Sequence, residues 1–186
     1  MSQRPSKIDY YMGIAKQVAQ RATCLRAKHG AIIVRDDQII ATGYVGAPRG
    51  CKDSLEHGFC LRTKLGIPHG HRYELCRSVH AEMNAIINAA RAGVSLLAGD
   101  MYIYSERLPD HKILDALPCF ICKKMIINAG LNRVIGITKS GKPKIYNVAD
   151  WVKFWKTHDI IDDQHQYGDG EKVFSEKELA QEKTKL

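Results

Sequence analysis

Apolar residues recur at helical spacing near the start of the chain. Ile8, Tyr11, Met12, Ala15, Val18 and Ala19 form one stripe, which predicts an amphipathic helix from Ile8 to about Arg21. A polar connection follows at residues 24–29. Residues 30–34 then read as a buried strand and residues 39–42 as a second, with the polar run 35–38 as the turn of a β-hairpin. The pattern lapses over residues 45–79, which carry Gly, Pro, Cys and His without a period. A stretch of that length inside a compact domain is functional or is held by a device of its own. Periodicity resumes at His80. Ala81, Ala85, Ala89 and Ala92 give a helix a face of small residues that can lie close on a sheet, and Gly93 is its predicted stop. Residues 100–104 read as a strand, 105–116 as a connection, 119–129 as a helix and 133–137 as a strand. A further helix is predicted from Asn147 to about His158 by Val148, Trp151, Val152 and Trp155. From Asp159 the chain is a polar tail. The order predicts one domain over residues 1–186, a sheet covered by helices, with a Cys-rich insert at about 45–79.

Two of the predicted helix starts carry chemistry. Ser78 is a candidate N-cap, with His80 and Glu82 just behind it. Pro118 suits the first position of the next helix, with Cys119 and Cys122 behind it. Cysteines three apart share a helix face, so Cys119 and Cys122 can grip one ion and His80 can complete three ligands. Three protein ligands and one open position are the arrangement of a catalytic zinc. Glu82 lies beside His80, and its carboxylate can face a water on the ion rather than the ion itself. The order His-x-Glu, then Pro-Cys-x-x-Cys, is the signature of the zinc nucleobase deaminases. A purely structural Cys/His site is the bland alternative.

Composition adds bounds. The chain has 186 residues, 45% of them hydrophobic and 26% charged, enough for one domain with a real core. No apolar run approaches a membrane span, and the first residues lack the apolar stretch of a signal peptide. Six cysteines without a secretion signal read as thiols and metal ligands rather than disulfides, which implies the cytoplasm, or a host cytoplasm for a viral gene. A formal charge of +8 suits an anionic ligand, nucleotide phosphate or nucleic acid, and equally suits solvated Lys and Arg.

From about residue 5 to 150 the chain resembles the deoxycytidylate (dCMP) deaminase family of the cytidine deaminase superfamily. Besides the zinc motifs, the likeness rests on residues 31–34, 41–50, 77–86 and 126–130. The resemblance implies an α/β fold, a three-layer α/β/α sandwich on a mixed five-stranded sheet. It implies a zinc held by His80, Cys119 and Cys122, with Glu82 as the catalytic acid and base. Substrate contacts would come from Arg26, Thr42, Gly43, Tyr44, Val45, Ala81, Leu117, Pro118 and Tyr146, with Arg26 and Tyr146 on the phosphate. Gly46 and Arg49 would belong to an effector site for dCTP or dTTP, with Mg2+ accompanying the triphosphate. The family pattern also implies a homo-oligomer, a hexamer by preference, with no membrane or nucleic-acid partner. One departure bears on substrate choice. Many relatives carry Asn where this chain has Val45, so a polar side chain that could hydrogen-bond the substrate is absent.

Cys24, Cys51, Cys60 and Cys76 bracket the insert and suggest a second, structural zinc of the kind some relatives hold, with His57 or His71 as substitute ligands. Free cysteines are the alternative. Rival functions stay open at this level: a deaminase acting on dCTP, a tRNA adenosine deaminase with the same zinc core, and a non-enzymatic zinc module that would not need Glu82.

Overall fold

The computed structural model describes residues 4–68, 71–108 and 110–159. The tail expected beyond Asp159 lies outside them. The first helix, α1 (Lys7–Ala19), is capped by the Ser6 hydroxyl, which accepts from the Asp9 N–H, and it buries Tyr11, Met12, Ala15 and Ala19. Strands β1 (Ala27–Arg35) and β2 (Gln38–Tyr44) form the expected hairpin. Its turn is Asp36 and Asp37, both at positive φ, 50° and 63°. Paired left-handed residues match the twist of the strands. The Tyr11 hydroxyl donates to the Asp37 carboxylate at 2.6 Å, which fastens α1 to this turn.

The insert contains two one-turn helices, α2 (Ser54–His57) and α3 (Leu61–Lys64), and a 3-10 turn (Tyr73–Leu75). Helix α4 (Ala81–Arg91) is followed by β3 (Asp100–Arg107), α5 (Phe120–Asn128), β4 (Arg133–Ile137), β5 (Pro143–Asn147) and α6 (Val148–Thr157). The sheet order is β2-β1-β3-β4-β5, with only β3 and β4 parallel. The sheet is therefore mixed and five-stranded, with helices on both faces. No described helix is long and apolar enough to cross a membrane.

Close approach of backbones sets the layers. A Cβ on Gly30 would fall 2.3 Å from the Ala15 carbonyl oxygen, so α1 lies against β1. On the other face a Cβ on Gly43 would fall 2.3 Å from both the Ala81 carbonyl oxygen and the Ala85 amide nitrogen. The small-residue face of α4 thus sits directly on β2. Ala81, Ala85 and Ala89 are fully buried there, while Ala92, at the helix end, is exposed.

Candidate functional site

The site begins with where α4 and α5 start. His80, not Ser78, is the N-cap of α4, with extended backbone at φ −67° and ψ 155°. Ser78 is buried one residue before Val79, whose main chain pairs with Gly46 in an isolated antiparallel bridge. That pairing keeps residues 78 and 79 extended and delays the helix. Cys119 is likewise the N-cap of α5, which leaves Pro118 just outside the helix rather than at its first position. The shift by one residue puts His80 and Cys119 at the two caps, with Glu82 and Cys122 in the first turns behind them. Both helix starts bring a positive dipole end to the donor cluster.

The strap between β3 and α5 fixes Cys119 from the other side. Leu114 N–H donates to Ser105 and Ala116 N–H to Ile137, each a backbone bond. A Cβ on Gly136 would lie 2.0 Å from the Ala116 carbonyl oxygen, so the strap presses onto β4 just before the cysteine. On the α4 side, Asn84 donates to the Tyr44 carbonyl at 2.8 Å and Asn88 to the Thr42 carbonyl at 2.7 Å. These two bonds lock the end of β2 to the helix carrying His80 and Glu82. The sequence reading missed both asparagines. Their spacing of four on the face beside the alanine stripe is the signal that could have marked them.

His80 Nδ1 lies 3.4 Å from the sulfur of Cys119 and 3.4 Å from that of Cys122. The three donor atoms all fall within 4.8 Å of one another. Ligands about 2.3 Å (sulfur) and about 2.0 Å (nitrogen) from one tetrahedral ion stand roughly 3.5 Å apart. The spacing and the soft donor set therefore fit zinc. The hydrogen bond from Cys122 and then the His80 imidazole hold the Cys119 thiol down at about 4. Its bond to Cys119, together with burial, pushes the Cys122 thiol up. For His80, burial opposes protonation, but the Cys119 contact and the Glu82 charge outweigh it and raise the pKa. Burial pushes the Glu82 carboxyl above the usual carboxylate range, against the pull of His80. Glu82 is 8% exposed, so it is placed to hold a proton away from bulk water.

The other expected site residues fall in several places. Gly43, Tyr44, Val45 and Gly46 run from the end of β2 past the start of α4, and exposed Thr42 precedes them. Val45 is buried and works through its main chain, donating to the His29 carbonyl and accepting from Thr23 N–H. Ala81 is the first residue of α4 and fully buried, while Leu117 and Pro118 lead into Cys119. Arg26 is half-buried and lines a cavity of about 360 Å³ with Leu25, Phe59, Cys60, Thr63 and Lys64. Exposed Arg49 donates to the Asn88 side chain. Tyr146 packs instead on Trp151, at the β5–α6 corner.

Cys24 and the insert's Cys51, Cys60 and Cys76 form no metal-holding group among the described residues. Among the described residues, His80, Cys119 and Cys122 are the only group of three or more His, Cys, Asp or Glu donors close enough to hold an ion. Cys51 is exposed, Cys60 caps α3, and Cys76 closes the 3-10 turn. The centre of the insert is occupied by Arg62, which the sequence reading missed. A lone arginine in a polar run gives no signal.

A layered α/β domain with a His/Cys/Cys donor set at two helix starts defines a zinc-binding α/β protein. Residues 5–138 match the family described as the cytidine and deoxycytidylate deaminase zinc-binding region, and the chain belongs to that family. It is 34% identical over 134 residues to a deoxycytidylate deaminase of Schizosaccharomyces pombe, covering 71% of this chain but 37% of that protein. It is also 34% identical over 137 residues to the deoxycytidylate deaminase of Mycobacterium phage D29, covering 71% of this chain and 94% of the relative. Among solved structures, the dCMP deaminase of cyanophage S-TIM5 in complex with dCMP and dUMP shares the fold at TM-score 0.51 and 28% identity. That match covers 72% of this chain and 82% of the phage protein. The cytidine deaminase of Burkholderia pseudomallei, at 17% identity and TM-score 0.50, supports the fold alone.

Proposed function

We propose that the protein deaminates dCMP hydrolytically, taking up water and giving dUMP and ammonia. The observation that carries this is the buried Glu82 set in the first turn behind His80, beside a donor trio that fits zinc. Zinc bound by His80, Cys119 and Cys122 would supply a water acidified enough to lose a proton near neutral pH. Glu82 takes that proton as the water oxygen adds to C4 of the cytosine ring. It gives that proton to N3, then takes the second from the hydroxyl now on C4 and passes it to the amino group. That group leaves as ammonia as the C4–N bond breaks and the carbonyl forms, so one carboxylate serves as base and acid in turn. The N–H of Ala81 and the carbonyls near Leu117 and Pro118, at the two helix starts, would read the edge of the base. Thr42, Gly43 and Tyr44 would flank the sugar, and Arg26 would meet the phosphate at the mouth of its cavity.

The finer parts of the reading travel with this one. Gly46 and Arg49 would serve a dCTP or dTTP effector, with Mg2+ on the triphosphate, in a cytoplasmic homo-oligomer. Ile87 and Ile121, exposed on the neighbouring helices α4 and α5, are apolar surface that such an assembly would cover. The separated cysteines give a second zinc no support. Because Val45 offers no polar side chain, dCTP is the competing substrate to test. Ammonia release should be measured with dCMP, dCTP, CMP, deoxycytidine and a tRNA anticodon stem. Release fastest with dCMP is expected. Activity on the RNA alone would overturn the proposal, and dCTP above dCMP would move the substrate while leaving the chemistry.

A further inference from the structure

We propose that Arg62 is a positioning residue for the metal centre, acting through Tyr73 on the imidazole of His80. Arg62 belongs to α3, in the insert, yet it is only 5% exposed. One guanidinium nitrogen, Nη2, donates to the Pro68 carbonyl at 2.7 Å and also to the His71 carbonyl. The guanidinium carbon of the same group lies over the Tyr73 ring, 4.7 Å from its centroid. The Tyr73 ring in turn meets the His80 ring edge-to-face, with centroids 5.1 Å apart and planes at 84°. A continuous line of contacts thus runs from the insert to a zinc ligand.

The chemistry of arginine suits this job. Its Nη2 alone carries the two N–H donors that both carbonyls need. The rest of the flat, delocalised guanidinium can stack on an aromatic face, a second surface that the compact ammonium of lysine lacks. Arg62 Nε is buried without a hydrogen-bond partner. The group is therefore held by Nη2 and by the ring, and the insert accepts an unsatisfied donor in return. Cys60 caps the helix that carries Arg62, and Cys76 closes the turn that carries Tyr73. The cysteines flank this hub without converging on an ion, so the arginine fastens the insert where a metal would otherwise be expected. Partners that fix the orientation of a ligating histidine tune how tightly its metal is held.

The inference rests on the zinc reading of the His80 cluster, and its test separates the two. Zinc-loaded wild-type, R62K, Y73L and Y73F proteins are challenged with a chromogenic chelator, and each is also loaded with Co2+ for its visible absorption. R62K and Y73L should lose zinc about 10- to 100-fold faster, with a shifted cobalt band, while Y73F, which keeps the ring, should match the wild type. Y73L leaves both carbonyl bonds of Arg62 in place, so it carries the test even where R62K folds poorly. Wild-type rates and bands in both variants, or a lowered Tm with unchanged zinc release, would overturn the positioning role. A wild-type protein that binds no zinc would instead overturn the reading of the cluster.

Discussion

The platform of sheet, α4 and α5 and the insert before His80 are neighbours built on different physics. On the platform, position is set by contact between backbones. Glycines on β1, β2 and β4 admit helices or strap to distances at which no Cβ fits, and α4 packs its alanines against β2. The insert has almost no buried apolar side chain of its own, and Leu55 and Leu65 are more than half exposed. It is held by point devices instead. One is the Asp53–Glu56 capping box of α2. Others are the Phe59 ring, which both Lys64 and Arg77 approach with their charges, and the Arg62 hub. Chemistry that needs three donors fixed to a few tenths of an ångström sits on the first kind of structure. The second kind reaches it at one described ring contact, Tyr73 on His80, and otherwise stands on devices of its own.

The sharpest break in this comparison is Glu82→Gln. It should cut the rate of ammonia release by about 10²- to 10⁴-fold while zinc content and Tm stay at wild-type values. The matching change in the insert, Glu56→Gln, keeps a side chain able to complete the capping box and should leave the rate unchanged. A Glu82→Gln protein with full activity would remove the acid–base role. Next in size is Gly43→Ala. Its Cβ would meet backbone atoms of α4 at 2.3 Å, and neither strand nor helix can give way. A loss of about 3 kcal/mol or more is expected in urea unfolding, with activity falling in parallel. Gly58→Ala, at φ 72° in open space at the end of α2, should cost only about 1 kcal/mol of left-handed backbone strain. Equal losses at the two glycines would erase the distinction between the regions.

The same division decides what could be read from sequence. Platform elements bury a regular stripe, so α1, the hairpin, the alanine face of α4 and the strand at 133–137 were all legible in the spacing of apolar residues. The donor trio was legible too, because ligands at helix starts must obey fixed spacing. Strand β5 was not. Pro143, Lys144 and Ile145 are exposed on an edge strand and only Tyr146 turns partly inward, so no alternation survives. The pattern yields four strands, and the fifth came from the family resemblance. Nor did spacing reveal that β3 runs on to Arg107, since its last residues are polar and are paired by β1 and the strap. In the insert, Arg62, Asp53 and Phe59 act through a few hydrogen bonds and ring contacts, which have no period. Cysteine counting suggested a metal there because three cysteines in the insert and Cys24 ahead of it are a visible pattern, and a buried arginine is not.

The smallest expected effects test whether point devices on the two regions differ in kind. Tyr11 is 4% exposed, and its hydroxyl bonds the Asp37 carboxylate at the hairpin turn. That hydrogen bond, with burial, pushes the Tyr11 pKa up from 10.0 to about 12. The folded state therefore favours the neutral phenol. The stabilisation is fully present below pH 10 and is lost as pH rises through about 12. Asp37 works at the other limb. Its bonds from Lys7 and Tyr11 depress its pKa, so its contribution is present above the ordinary carboxylate range and is lost in acid. Tyr11→Phe should cost about 1 kcal/mol at neutral pH. Above pH 10 the gap to the wild type should close, because only the wild type has this phenol to ionise on unfolding. The insert offers the contrast in Arg72 and Glu74, an ion pair with both side chains 62% exposed. Water and salt screen such a pair, so Glu74→Gln should leave urea midpoints unchanged from low to high salt. A gap at Tyr11 that persists undiminished at pH 11 would show that the hydroxyl acts through packing alone. A salt-dependent loss at Glu74 would mean that charge as well as the Arg62 hub holds the insert in place.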